Sequence, residues 1–466
     1  MQSEKILEVY KAKKIWIIMI LAIGFASFLL SAAIPSFMSP DEFDHVKRAY
    51  GLSQGQIVLE SPAQQSSGVW VDTGLLQYIG TCCSAWMKNR NHKFSADEIA
   101  AASTVKWTGE KIFSPAPGTG YYFPLIYTPQ AVGLALGKML DLTVDTSYRL
   151  ARLLSLVTAI ILLLWAVFLY EPPQLTVAFF MMPMTLFQLA SASLDGVSST
   201  MAVLAISIFL KIVTQKYRLS IGLTVVFGMV IFLIISSRVY LFPLLALPFT
   251  AYFATRQKAL LTTGTASTLA VFIWLTIAIT STNDTRVSTG ASTSTIIHYY
   301  AVNPLTYLKV LYDTLSEPNY IGLHFKTFIG HLGWFDTPLP SKTYSILSIV
   351  LALITIATFT SVNITKHFIA RFLLFCCSII SFMLVFFALL VTWNQHPALH
   401  IEGIQGRYFL VPVILLAYSA SSQIYRASIF RTIGFVLLCV FITYSTYATL
   451  KTTINKYYIL ETQASE

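Results

Sequence analysis

Apolar residues in this chain come in blocks of roughly 20, the length a helix needs to cross a hydrocarbon core. The blocks lie at 15–35, 149–169, 174–193, 197–214, 220–236, 239–254, 260–280, 343–361, 372–393, 408–421 and 432–449, with short polar segments between most of them. The pattern predicts an all-α polytopic membrane protein with about eleven transmembrane helices in one integral domain, 1–466. Bases gather between particular blocks: Lys5, Lys11, Lys13 and Lys14 at the first, Lys211, Lys216 and Arg218 after the fourth, Arg256 and Lys258 after the sixth. Lys366, His367 and Arg371, then Arg426 and Arg431, follow the same rhythm. Cytoplasmic segments carry excess Lys and Arg, so these are expected inside, with a cytoplasmic N-terminus. Three segments then fall on the extracytoplasmic side: a long first loop, 36–145, a second region, 281–342, and a third loop, 394–407. The first has no block of spanning length. Its end, "YYFPLIYTPQAVGLALGKML", is short and apolar on one side, which predicts interfacial helices rather than a crossing.

Composition sharpens this picture. Of 466 residues 55% are hydrophobic and only 11% charged, far too apolar for a soluble chain. A formal charge of +10 would suggest nucleic acid in a soluble domain, but here the bases sit where the positive-inside rule wants them, so the charge reports topology. The "SAA" at 31–33 resembles a signal-peptide cleavage site, yet the apolar run before it is long for such a leader, and cleavage is not expected. Five cysteines, two of them in the adjacent pair Cys82-Cys83 and two in Cys376-Cys377, show no metal-ligand spacing. There is no Walker A loop, dinucleotide fingerprint, H-E-x-x-H or G-x-S-x-G, which disfavours chemistry driven by a soluble nucleotide. "VGLALG" at 132–137 contains a G-x-x-x-G spacing with no long apolar span around it.

One stretch concentrates charge at a predicted membrane boundary. "SPDEFDHVKR", 39–48, reads as a helix start with Ser39 as N-cap, Pro40 at the first helical position and Glu42 reaching back to the cap. In such a helix Asp41, His45 and Arg48 share a face, which is either a solvated helix start or the seat of a general base. Asp195, in "LASASLDGVSST", is an acid at a second outer boundary: an Asp-Gly turn, or a carboxylate facing the same cavity. Arg238 and Arg407 fall at the outer ends of spans, against the charge pattern. They are snorkelling side chains or guanidinium forks for a phosphate. "HLGWFDTPLP" puts Trp334 beside Asp336 in a loop able to stack a sugar ring, although aromatic residues are common at membrane interfaces.

"SPDEFDH", "YTPQAVGLALGK", "YRLARLL", "PMTLFQLASASLDG", "HLGWFDTPLP" and "EGIQGRYFLVP" together resemble a large family of bacterial polytopic membrane proteins, over roughly residues 20–420. That family is similar in plan to the GT-C superfamily of integral membrane glycosyltransferases. The resemblance implies a polyprenyl-phosphate-linked sugar as donor and an active site on the extracytoplasmic side of the bacterial inner membrane. It also implies an inverting hexosyltransferase acting on a surface glycan such as O-antigen, with glucose the expected sugar. Carried over by position, Asp41 is the catalytic base and Glu42 its substitute. His45, Asp195, Asp336 and Trp334 support the reaction or bind acceptor, and Arg238, Arg407 and Arg48 hold the donor phosphate. Some GT-C enzymes use a divalent metal, Mg or Mn, for which Asp41, Glu42, Asp195 and His45 are the available ligands. No nucleic acid partner is expected. The competing classes are a flippase for lipid-linked glycan and a non-catalytic subunit of a polysaccharide assembly complex. Transporters place charge at mid-membrane, whereas here it sits at the ends of the spans.

Overall fold

A computed structural model of the chain describes residues 2–318, 320–359, 367–421 and 429–458. Seven helices among them are long and apolar enough to cross a membrane: Lys13–Ala33, Val144–Leu169, Asp195–Gln215, Lys258–Ser281, Ser341–Phe359, Phe368–Trp393 and Ile429–Tyr457. Shorter apolar helical segments, Ile221–Ser237, Val239–Thr255 and Gly406–Ala420, fall on three further blocks. The block at 174–193, expected as one span, is instead two helices of seven residues each, Gln174–Phe180 and Pro183–Leu189. Pro183 has no N–H to continue a helical ladder and opens the second piece. Every residue from 172 to 194 is buried. This broken segment therefore lies inside the bundle, beside Asp195–Gln215, whose apolar window is 83% buried and which has no polar face to turn outward. Lys366, Arg426 and the tail beyond 458 lie outside the described residues, as do the side chains of Lys5 and Lys11.

The first polar region folds onto the bundle as short helices, including Glu42–Ser53, Thr73–Lys88 and Thr128–Met139. It also holds an antiparallel pair of strands, Gly68–Asp72 with Lys111–Pro115. A second, two-residue pair joins His331–Leu332 to Thr337–Pro338, so the helical expectation is modified only by small sheets. The G-x-x-x-G spacing has a local use. A Cβ on Gly133 would strike the backbone of Ala151, and one on Gly137 would strike Ser147. The two glycines thus let Thr128–Met139 lie directly against Val144–Leu169.

Ionic groups collect at opposite ends of the bundle. At one end Lys13 donates to the carbonyls of Val167 and Phe168, and Glu171 accepts from Trp16 and pairs with Arg431. This puts the "YEPPQ" turn on the side of the N-terminal bases, as alternation requires. At the other end the first polar region meets the end of the last helix, where Phe94 N–H donates to the Tyr457 carbonyl at 2.8 Å.

Candidate functional site

The expected capping box at Ser39 forms only in part. The helix begins at Glu42, and Asp41 adopts a left-handed backbone with φ 59° and ψ 7°. Glu42 does reach back to Ser39 N–H at 3.4 Å, but its carboxylate is claimed from elsewhere. Arg152 binds it bidentately, with both N–O distances 3.0 Å, and Ala192 N–H donates to it at 2.7 Å. Arg152 also donates to the carbonyls of Ser31, Ile34 and Pro35. One buried ion pair therefore ties the end of the first span, the start of the Glu42 helix and the turn before Asp195 together. A left-handed residue other than glycine costs on the order of 1–2 kcal/mol, and here it turns Asp41 away from its neighbour.

Asp41 pairs with Arg407 and through it joins two further residues that are distant in sequence. Arg407 Nη2 lies 2.8 Å from its carboxylate, and the same guanidinium reaches Asp195 through Nη1 at 3.5 Å. Arg238 closes an ion pair with the other oxygen of Asp195. The result is a chain, Asp41–Arg407–Asp195–Arg238, of two acids and two bases with no net charge. Both arginines are nearly buried, whereas the Asp41 side chain is 34% exposed and is the accessible member. Although burial pushes the Asp41 carboxyl up, the adjacent Arg407 guanidinium outweighs it, and the group stays below the ordinary carboxylate range. The carboxylate is thus ionised at neutral pH.

Arg238 also lines a cavity of about 330 Å³. Its walls come from the Lys258–Ser281 and Phe368–Trp393 helices, including Leu275, Ile279, Leu384 and Phe387, and Arg238 is the single charged residue among those lining it. The Arg238 guanidinium sits 5.3 Å from the Tyr122 ring, which lines the same cavity. Apolar walls with one fixed cation suit an amphiphile that has a long apolar tail and an anionic head. On its other side the ion-pair chain borders a small pocket of about 20 Å³ with mixed walls, Gln188, Ser198 and Ser199 facing Met184, Phe328 and Leu410.

Several residues named from the sequence lie elsewhere. Arg48 is fully buried and donates to the carbonyls of Gln56 and Ile57, where it closes the loop after its helix, so it is not placed to hold a phosphate. Glu42, wholly buried with both oxygens engaged, is an anchor rather than a substitute base. Trp334 donates to the Phe37 carbonyl and stacks on Phe43, with ring centroids 5.2 Å apart. Asp336 accepts from Trp86 and lies 3.7 Å from Lys456. These two pin the second polar region to the first and do not join the chain of ion pairs. The donor set does not fit Mg or Mn as arranged, because Asp41 and Asp195 are each answered by arginine and Glu42 by Arg152. Among the described residues no three His, Cys, Asp or Glu side chains converge.

His45 is buried against Tyr127, its Nδ1 2.7 Å from the phenol oxygen. Burial lowers its pKa to about 3, so the imidazole is neutral at physiological pH and acts as a hydrogen-bond partner, not an acid. Because the unfolded chain takes up a proton below about pH 6.5 and the folded one does not until about pH 3, this group costs stability as pH falls through that window. His45→Asn should therefore flatten the acid side of the melting profile, by about 2 °C per pH unit between pH 6 and 4. Thermal melts of both proteins in the same detergent check this, and parallel profiles would refute it.

Sequence reasoning missed Arg152, which lies within the quoted "YRLARLL" but is a lone base near the start of an apolar block, easily read as snorkelling. It also missed Asp44, buried 2.7 Å from Lys47, where burial raises its carboxyl to about 6. Together the fold and the site define a polytopic helical membrane protein with a buried chain of ion pairs at one end of its bundle. Residues 23–417 match the family described as predicted membrane protein (DUF2142), and the chain belongs to that family. No curated protein and no solved structure matches it.

Proposed function

We propose that the protein is an inverting glycosyltransferase of GT-C type, with about eleven spans counting the broken segment. It would move a hexose, with glucose as the first candidate, from a polyprenyl-phosphate carrier to a surface glycan such as O-antigen, on the extracytoplasmic side of the bacterial inner membrane. One observation carries the reading. A partly exposed, ionised carboxylate, Asp41, is linked through Arg407 and Asp195 to Arg238, the lone cation of an apolar cavity walled by spanning helices.

The chemistry assigns a task to each end of that chain. The donor's hydrocarbon lies in the cavity with its phosphate at Arg238, and the acceptor hydroxyl approaches Asp41. The acceptor oxygen attacks the anomeric carbon from the face opposite the phosphate, and its proton passes to Asp41. The bond from the anomeric carbon to the phosphate oxygen breaks, its electron pair leaves with the phosphate, and Arg238 and Arg407 stabilise the added charge. Arg407 Nε, buried and without a hydrogen-bond partner among the described residues, is a donor in reserve.

The test is transfer of radiolabelled hexose from synthetic polyprenyl-phosphate hexoses to purified glycan by the detergent-solubilised protein. Label recovered in glycan with inverted anomeric configuration is the expected result. Failure with every donor, alongside protein-dependent movement of lipid-linked glycan between vesicle leaflets, would replace the enzyme with a flippase.

A further inference from the structure

The region 281–342, expected outside the bilayer, carries the helices Thr293–Val302, Pro304–Ser316 and Tyr320–Gly330, and a spanning helix beside them fixes their depth. In Phe368–Trp393 the residues 372–393 carry no charge. That is about 33 Å of helix, which matches a hydrocarbon core of about 30 Å. Met383 lies near the middle of the run, and Tyr307 Oη donates to its carbonyl at 2.6 Å. The start of Pro304–Ser316 therefore meets the spanning helix about 15 Å below its outer end at Trp393, a leaflet's depth rather than above the surface. The bond also has the form that hydrocarbon demands, a polar side chain satisfied within the protein.

Exposure along Phe368–Trp393 changes at the same depth. Its inner half shows Phe368, Phe372, Phe375, Ile379 and Phe382 at the surface, whereas from 383 to 394 no residue is exposed. The short helices cover that outer half: Val310 and Leu311 pack in one cluster with Val385, Phe386 and Leu390. They turn a new apolar face outward in exchange. Leu305, Leu308, Lys309 and Tyr312 follow one another at i, i+3, i+4 and i+7, and all four are exposed, Leu305 to 77% and Tyr312 to 70%. On the next helix Ile321 is 66% exposed, with Leu323 and Phe325 beside it. Lys309 is the one charge on the first of these stripes, and its stem is long enough to carry the ammonium towards headgroup phosphates.

We infer that Thr293–Val302, Pro304–Ser316 and Tyr320–Gly330 are immersed in the outer leaflet, with phospholipid chains against Leu305, Leu308, Tyr312 and Ile321 and headgroup phosphate at Lys309. Lipid is the occupant because this face takes over, at the same depth, from the lipid-facing side chains of Phe368–Trp393. The placement does not depend on the reaction proposed above. It does bear on the cavity at Arg238, since Thr293 and Ile297 of the first immersed helix form part of its wall. The cavity then stands beside the acyl chains of the leaflet, separated from them by that helix.

The experiment places nitroxide labels on Leu305→Cys, Tyr312→Cys and Ile321→Cys, one at a time, in the full chain reconstituted into vesicles of phosphatidylethanolamine and phosphatidylglycerol. Cys376 and Cys439, the native cysteines that are not buried, are replaced by Ala. Power-saturation electron paramagnetic resonance then compares collisions with oxygen, which concentrates in hydrocarbon, and with a nickel chelate, which stays in water. Ile379→Cys on the spanning helix is the lipid reference, and Glu110→Cys in the first polar region is the water reference. All three labels should collide severalfold more with oxygen than with the chelate, as Ile379→Cys does. Labels that behave like Glu110→Cys would put the helices in water. Labels that meet neither collider would mean that a second copy or another protein covers the face. Either outcome overturns the inference. The labelled side chains point away from the packed core, and a position whose variant fails to fold is replaced by its neighbour, Leu308→Cys or Leu323→Cys.

Discussion

Asp41→Asn is expected to lower hexose transfer by about 10²–10⁴-fold, the usual contribution of a general base, while the protein folds and inserts as wild type does. Asparagine has the same shape and its amide oxygen can still accept from Arg407, but it cannot take a proton from the acceptor. The structural cost should be small. Asp41 is the accessible end of the ion-pair chain, and Arg407 keeps Asp195 as a partner. Transfer assays on equal amounts of monodisperse protein, with melting temperature as the control, decide the matter. Full activity in Asp41→Asn would move the base to Asp195, because the neighbouring Glu42 has no free lone pair facing a substrate.

The adjacent carboxylate should behave in the opposite way. Glu42→Gln leaves Arg152 charged, buried and uncompensated, and breaking a buried pair from one side costs about 3–5 kcal/mol. The expected outcome is a large drop in melting temperature and in yield of monodisperse protein. Whatever material still folds should retain far more specific activity than Asp41→Asn. The pair itself need not stabilise the fold. Replacing both partners by apolar residues, Glu42→Leu with Arg152→Met, should recover much of the loss, since buried pairs often do no better than apolar packing. If Glu42→Gln were as stable as wild type but inactive, Glu42 would be the base and the assignment to Asp41 would fall.

This contrast between neighbours explains what could be read from the residues and what could not. "SPDE" satisfies a local rule for helix starts, and local rules make Glu42 the capping acid and Ser39 its partner. The cap is overruled by Arg152, 110 positions away, whose guanidinium offers two charge-assisted bonds against one neutral backbone donor. A complete capping box does occur at Ser95 and Glu98, where no distant residue competes. Arg48 was placed on the face of Asp41 by helical spacing, yet it turns back to carbonyls of its own loop. Arg238 and Arg407 were singled out because bases at those ends contradict the charge pattern, and both converge on Asp195.

Sequence alone determined the class. Apolar blocks of bilayer length, separated by basic segments, leave a hydrophobic solvent and a helical backbone as the only way to satisfy the peptide groups. It also located the acids and bases with membrane-boundary positions, because each breaks a pattern that can be counted. Tertiary structure decided which of those charges work together. An ion pair depends on distances of a few ångströms between segments hundreds of residues apart, and no periodicity along one helix encodes them. The same is true of the break at Pro183, of the separation of Asp336 and Trp334 from the site, and of the cavity that gives Arg238 its apolar surroundings: each is set by how helices pack against one another.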